Sequence, residues 1–290
     1  MLEAFGLRLR PSRGQHFLVS RRVLDRILAA AEPGTQDTIL EVGAGIGTLT
    51  VALARTGARV MAVEVDARLI PALRAACASY PRVRLIHADA MRLVASGLPE
   101  ATTKVVANLP YSIASPLLIE MLEVGVARRY VAMVQEEVAR RIAAAPGSRE
   151  YGLLSVAVQS RARPVIVAAV PRSAFYPSPR VVSCIVRLDV PDDAPIPATL
   201  APAVMAVARA AFGQRRKMLR TALRTIEGWK PTPEDVEALC LAAGIDPRRR
   251  GEDLSLDEFA RLAFALGDRH RASGAGRQVE RPATGKSNKG

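Results

Sequence analysis

The sequence predicts an α/β fold, a largely parallel sheet covered by helices, followed by a small all-α domain. Three observations carry this. First, 290 residues, 49% hydrophobic and only 4% aromatic, suffice for one large core and a small second one. Second, between Asp37 and Glu137 short β-branched runs alternate with Ala/Leu-rich segments at helical spacing, the pattern of βαβ units. Third, beyond a linker marked by Pro191, Asp192, Asp193, Pro195 and Pro197, every periodic segment has the helical period.

In order, the strands read as residues 38–42, 59–65, 83–87, 104–108 and 130–134. Residues 49–55, 67–78 and 116–122 between them have helical spacing. Asp66 and Ser115 serve as N-caps, because a short polar side chain accepts from the free N–H groups of a first turn. Two more β-rich runs follow, 165–170 and 181–188. Pro171, Pro177 and Pro179 make the segment between them a rigid loop, since proline lacks the donor a helix needs. Helices of the second domain read as 201–212, 215–224, 233–243 and 256–266, and there is no internal repeat. The domains are therefore 1–190, with a basic N-terminal arm, and 191–267. Residues 268–290 hold six basic and two acidic residues among Ser, Gly, Ala and Pro. Such a composition cannot bury enough apolar area to order itself, so a disordered basic tail is expected.

Composition narrows the partners. Forty-one Lys and Arg against 28 Asp and Glu give a formal charge of +13, a field that attracts polyanions. Residues 8–22 hold five Arg and no acid, as an organellar targeting segment does, yet Gly14-Gln15-His16-Phe17-Leu18 within them reads as a specific motif. No run reaches the ~18 uninterrupted apolar residues of a membrane span. Cys77, Cys184 and Cys240 are odd in number, widely spaced and without a C-x-x-C pair. That fits a reducing compartment and argues against a disulfide frame or thiolate metal site. A soluble, cytoplasmic monomer with no metal and no membrane partner is expected.

The first strand runs through Glu41 and Val42 into Gly43-Ala44-Gly45-Ile46-Gly47 and then an apolar-periodic helix. Glycines there permit a tight turn and close approach of a ligand. A dinucleotide fingerprint would need a small residue where Thr48 stands. The G-x-G-x-G spacing favours a different nucleoside cofactor, S-adenosylmethionine. Glu64 ends the second strand about twenty residues on, where a carboxylate can accept from both ribose hydroxyls. Asp89, followed by Ala90, occupies the matching edge after the third strand and can accept from an adenine amine. The alternative is solvated loop carboxylates, but successive strand ends offering Gly, Glu and Asp favour one pocket.

Asn108-Leu109-Pro110-Tyr111 closes the fourth strand. An amino nitrogen conjugated to a base is a poor nucleophile, because its lone pair is delocalised into the ring. If the Asn108 side-chain oxygen and the Leu109 carbonyl both accept from that amine, the nitrogen is held toward tetrahedral geometry. Its lone pair can then point at a methyl group. Pro110 fixes the backbone that aims the carbonyl, and Tyr111 offers a face for stacking. No general base, metal or covalent nucleophile is required. The competing reading is a turn closing a strand, with Tyr111 simply buried.

These motifs resemble those of the ribosomal small-subunit adenine dimethyltransferases. Residues 14–18 are similar to the family's G-Q-N-F-L, residues 41–45 to its glycine loop, and Glu64-Val65-Asp66, Asp89-Ala90 and Asn108-Leu109-Pro110-Tyr111 follow in its order. Phe175-Tyr176-Pro177-Ser178-Pro179-Arg180-Val181 is similar to F-x-P-x-P-x-V, and residues 211–217 to A-F-x-Q-R-R-K. The resemblance implies a Rossmann-like S-adenosylmethionine-dependent methyltransferase sheet. It also implies dimethylation of N6 on two adjacent adenosines near the 3′ end of small-subunit rRNA, with a role in subunit assembly. His16, Leu18, Gly43, Gly45, Glu64, Asp89, Ala90 and Asn108 would bind the cofactor; Tyr111 and Phe175 would hold the flipped adenine. His16 departs from the family's Asn; a backbone contact there would survive the change.

Physical grounds point the same way, since a target adenine must be unstacked to enter an edge pocket and aromatic side chains hold splayed bases. Phe175 has a second reading as core. Arg209, Arg215, Arg216, Lys217 and Arg220 lie together with no acid, either as a solvated face or as phosphate contacts to small-subunit rRNA in an immature 30S particle. Three alternatives remain: a macrolide-resistance type methylase of large-subunit rRNA, a non-catalytic RNA-binding assembly or transcription factor, and a nicotinamide dehydrogenase. Leu109, where the macrolide-resistance enzymes typically carry Ile, and the A-F-x-Q-R-R-K segment favour the small subunit.

Overall fold

The computed structural model describes residues 16–275, with side chains through Gly267. Gly14 and Gln15, the basic stretch before them and residues 276–290 of the expected tail lie outside the described residues. The chain divides into two compact units between Pro195 and Ile196, five residues beyond the expected boundary. Among the described residues no helix is long and apolar enough to cross a membrane.

In chain order the first unit contains β1 (Phe17–Leu18), α1 (Arg21–Ala31), β2 (Thr38–Val42), α2 (Thr48–Ala54), β3 (Arg59–Glu64), α3 (Ile70–Cys77) and β4 (Val83–His87). It continues through α4 (Ala90–Ser96), β5 (Lys104–Asn108), α5 (Ala114–Val124), β6 (Arg129–Gln135), α6 (Glu136–Ala143) and α7 (Leu153–Gln159). β7 (Arg163–Val170), β8 (Phe175–Tyr176) and β9 (Ser183–Asp189) complete it. Seven strands form one sheet in the order β4-β3-β2-β5-β6-β9-β7. β2 to β6 run parallel, while β9 is antiparallel to both β6 and β7. Val60, Met61 and Ala62 on β3 are all fully buried, as in a parallel sheet covered on both faces. β2 has β3 on one side and β5 on the other, so the order reverses there and opens a crevice at the carboxyl ends.

Several expectations need correction. Asp66 does not cap α3: it accepts from the backbone N–H of Arg68, and the helix begins at Ile70, four residues on, with Pro71 in its first turn. Ser115 lies inside α5, whose first turn holds Pro116 and whose N-cap is Ile113. The proline-dense loop contains β8, which pairs antiparallel with β1. A 3₁₀ turn (Arg172–Ala174) leads into that strand, and a cis peptide joins Tyr176 to Pro177.

The second unit contains α8 (Ala201–Gly213), α9 (Leu219–Ala222), α10 (Pro233–Ala242) and α11 (Leu256–Ala275). Its own core includes Val204, Leu219, Leu239, Phe259 and Leu262. The expected helix over 215–224 is a turn followed by α9. The first N–H groups of α9 are satisfied from outside, Leu219 by the Arg249 carbonyl at 2.8 Å and Arg220 by that of Pro247 at 3.0 Å. Residues 268–275, expected in the tail, extend α11 instead. Adding a residue to an existing helix costs little compared with nucleating one, and Arg and Ala are good helix formers.

Candidate active site

The carboxyl ends of β2 to β5 carry the expected residues. After β2 the chain turns through Gly43, whose N–H bonds the Val63 carbonyl at 2.9 Å and so fastens the turn to β3. Gly43 adopts φ +74°. A Cβ there would meet Pro110 Cδ at 3.4 Å, so the turn and the Asn108 tetrapeptide are in close contact. Gly45, at φ +59°, lies under the Phe17 ring, which a Cβ would approach to 3.0 Å. Leucine at 18, the next residue on β1, is buried and lines the same crevice.

Glu64 is buried at the end of β3 and held by three backbone donors. The Gly45 N–H reaches Oε2 at 2.8 Å, while those of Val65 and Asp66 reach Oε1 at 2.9 Å each. A carboxylate offers about four acceptor positions, so one on Oε2 is left for a ribose hydroxyl. Glu41, on β2 beside it, is only 1% exposed. Burial, and in lesser part the nearby Glu64 charge, pushes its carboxyl up to about 8. Its Oε2 has no hydrogen-bond partner among the described residues.

Asp89 serves two roles. Its Oδ1 caps α4 by accepting from the Arg92 N–H at 3.1 Å, and the residue also lines the crevice together with Ala90. Asn108 donates from Nδ2 to the His16 carbonyl at 3.1 Å. That bond engages one of the two N–H donors and turns Oδ1, the acceptor of the amide, away from the His16 carbonyl. The Leu109 N–H bonds the Met133 carbonyl at 3.3 Å, which holds the following peptide in place. Tyr111 is oriented by a 2.7 Å hydrogen bond between its hydroxyl and Ser183 Oγ, and its ring faces that of His16 at 6.0 Å and 26°. The His16 Nδ1 in turn donates to the Pro177 carbonyl at 2.7 Å.

Phe175 follows its core reading. It is 4% exposed, packs with Leu18 and Ile185, and is absent from the lining of the crevice. Alternation along β8 sends Tyr176 the other way, to 59% exposure. Sequence reasoning overlooked Glu41 as a site residue and Ser183 altogether. Glu41 was visible as the acidic residue before the glycines; Ser183 had no local signal, because only sheet pairing brings it to Tyr111.

The crevice encloses about 350 Å³ and is lined by His16, Leu18, Gly43, Gly45, Glu41, Glu64, Asp89, Ala90 and Asn108-Leu109-Pro110-Tyr111. That size lies within the range of small-molecule sites. The residues fit an adenosyl sulfonium. Glu64 and Asp89 offer acceptors to ribose and adenine, and the glycine turn removes Cβ atoms.

In the second unit the basic segment is not uniform. Arg215 pairs with Glu252 at 2.8 Å, whereas Arg216 and Lys217 are exposed in the turn before α9. The two backbone bonds at the start of α9 bring this turn beside the 246–250 loop, which adds exposed Arg248 and Arg250. Arg249 is committed to Glu258 by a bidentate ion pair, one arm of it at 3.1 Å.

A family model described as ribosomal RNA adenine dimethylase matches residues 6–265. Ribosomal RNA small subunit methyltransferase A of Geobacillus kaustophilus is 38% identical over 92% of this chain and 94% of its own. The protein of the same name from Shouchella clausii is 40% identical over 92% of each. Among solved structures, a dimethyladenosine transferase from Plasmodium falciparum is similar with a TM-score of 0.74 at 26% identity, covering 88% of this chain and 98% of that one. The 23S rRNA methyltransferase ErmE gives 0.67 at 26% identity, covering 87% and 99%.

Proposed function

The chain belongs to the ribosomal RNA adenine dimethylase family, and from that premise we propose which of its residues dimethylate N6 of two adjacent adenosines near the 3′ end of small-subunit rRNA. S-adenosylmethionine supplies an electrophilic methyl on a sulfonium. Everything else is positioning. Glu64 would take a ribose hydroxyl on Oε2, the second oxygen of Asp89 would take the adenine amine, and the backbone near His16 and Leu18 would contact the cofactor.

The observation that carries this assignment is the 3.1 Å bond from Asn108 Nδ2 to the His16 carbonyl, because it fixes which end of the amide is the acceptor. With Oδ1 and the Leu109 carbonyl accepting from the two N6 protons, the lone pair is drawn out of conjugation. The N–C bond forms as the S–C bond breaks, and the displaced N6 proton leaves to solvent. The monomethylated amine keeps a single N–H, so only one acceptor is engaged in the second transfer. Tyr111, its ring set by Ser183, stacks on the base. Arg216, Lys217, Arg248 and Arg250 contact RNA phosphates, and an immature 30S particle is the substrate, acted on by a monomer in the cytoplasm.

The test is transfer of labelled methyl to immature 30S particles and, in parallel, to 50S particles. Wild type should label only the small subunit, and Asn108→Ala should lose at least about a hundredfold, the scale of a misplaced reacting group. Equal labelling by both proteins would remove the mechanism, and labelling of 50S particles would move the substrate.

A further inference from the structure

We propose that the His16 side chain is a positioning group: its Nδ1–H holds the Pro177 carbonyl and thereby places its own backbone carbonyl against the Asn108 amide. This rests on the catalytic assignment above and extends it to a residue that touches neither base nor methyl group.

Two hydrogen bonds run in series through residue 16. Pro177 offers only a carbonyl, so Nδ1 must be the protonated nitrogen in the 2.7 Å contact. The carbonyl of the same residue receives Asn108 Nδ2 at 3.1 Å. Segments 161 and 92 residues away from it are thus joined through a single side chain and its own peptide. The consequence for Asn108 is an orientation rule. Were its amide reversed, Oδ1 would face the His16 carbonyl, acceptor against acceptor, and NH₂ would face the target amine, donor against donor. Which atom points at the base is therefore set by where the residue 16 carbonyl lies. The imidazole fixes that place from a second side as well, through its contact with the Tyr111 ring.

The bonded nitrogen is the one next to Cγ. An Asn side chain carries its N–H at the same branch, two bonds from Cβ, whereas a Gln carries it one carbon further out. His at this position and the Asn of the similar G-Q-N-F-L motif are interchangeable on this account, because both present a δ-nitrogen donor to the Pro177 carbonyl.

His16→Asn, His16→Gln and His16→Ala are compared by single-turnover methyl transfer to immature 30S particles and by calorimetric binding of S-adenosylmethionine, with thermal unfolding to confirm folding. With the cofactor saturating, His16→Ala and His16→Gln should lower the transfer rate at least about tenfold, and His16→Asn should restore it to within about threefold of wild type. In an Asn108→Ala background, His16→Ala should add no further loss. The proposal is overturned if Asn rescues no better than Gln, if the loss vanishes when the cofactor is saturating, or if the two substitutions add. Should His16→Ala fail to fold, the Asn-against-Gln comparison decides. Wild type that labels no rRNA refutes the catalytic assignment itself; active wild type with an equally active His16→Gln refutes only the role of the imidazole.

Discussion

Glu41 and Glu64 stand at adjacent strand ends and are treated differently by the backbone. Three amide N–H groups point at Glu64. Glu41 has no such donors at its Oε2, and burial raises its carboxyl from 4.5 to about 8. The folded protein therefore keeps a proton that the unfolded chain has released. Stability falls as pH rises from about 4.5 to 8, by a cumulative amount on the order of 4 kcal/mol. Glu41→Gln should raise the Tm of the ligand-free protein at pH 8 and change it little near pH 4.5, flattening the profile. A substitution effect equal at both pH values would show that Glu41 is not held protonated. Glu64, Asp89 and Asn108 were legible in the sequence because strand ends of a parallel sheet face one crevice. The protonation of Glu41 was not, since burial of one carboxyl depends on what α2 and the glycine turn lay over it. Nor was the division of Asp89 between capping and ligand, because α4 had no clear apolar period.

The elements follow the same logic one level up. Five parallel strands could be read from β-branched runs, but the antiparallel insertion of β9 between β6 and β7 could not, since strand order is decided by side-chain packing across elements. Helices α4, α6 and α7, of seven or eight residues, went unread for want of length, whereas α1, at eleven, was passed over although its sequence carries the helical period. The two-residue strands β1 and β8 are too brief to show alternation, yet they decide the fate of Phe175 and the place of Phe17 over Gly45. Gly45→Ala tests that arrangement. The new methyl would sit 3.0 Å from the Phe17 ring at a φ of +59°. Left-handed backbone for a non-glycine residue costs on the order of 1–2 kcal/mol, a strain carried by the folded protein, so the variant should unfold at a lower Tm than wild type. An unchanged Tm would mean that β1 yields freely.

At the scale of the whole molecule, composition anticipated a polyanionic partner, and the net charge of +13 makes its capture salt-dependent. The assignment of phosphate contacts to exposed Arg216 and Lys217, rather than to the ion-paired Arg215, has a measurable form. Arg216→Ala with Lys217→Ala should lower the slope of log affinity for rRNA against log salt by about 0.7 to 0.9 for each phosphate no longer neutralised. Arg215→Ala should leave that slope nearly unchanged, and equal slopes for all variants would dismiss the turn as a phosphate-binding element. That exposed Arg248 and Arg250 lie near this turn was hidden because about 30 residues separate their loop from the start of α9, which it bonds. A further consequence concerns synthesis of the chain itself. β1 leaves the ribosome early, but its partner β8 is made only when residue 175 is reached. At roughly 5 to 20 residues per second, translation takes on the order of ten to thirty seconds to supply it. Until residue 177 has emerged β1 has no partner strand, so the residue 16 carbonyl can settle against Asn108 only after more than half of the chain has been made.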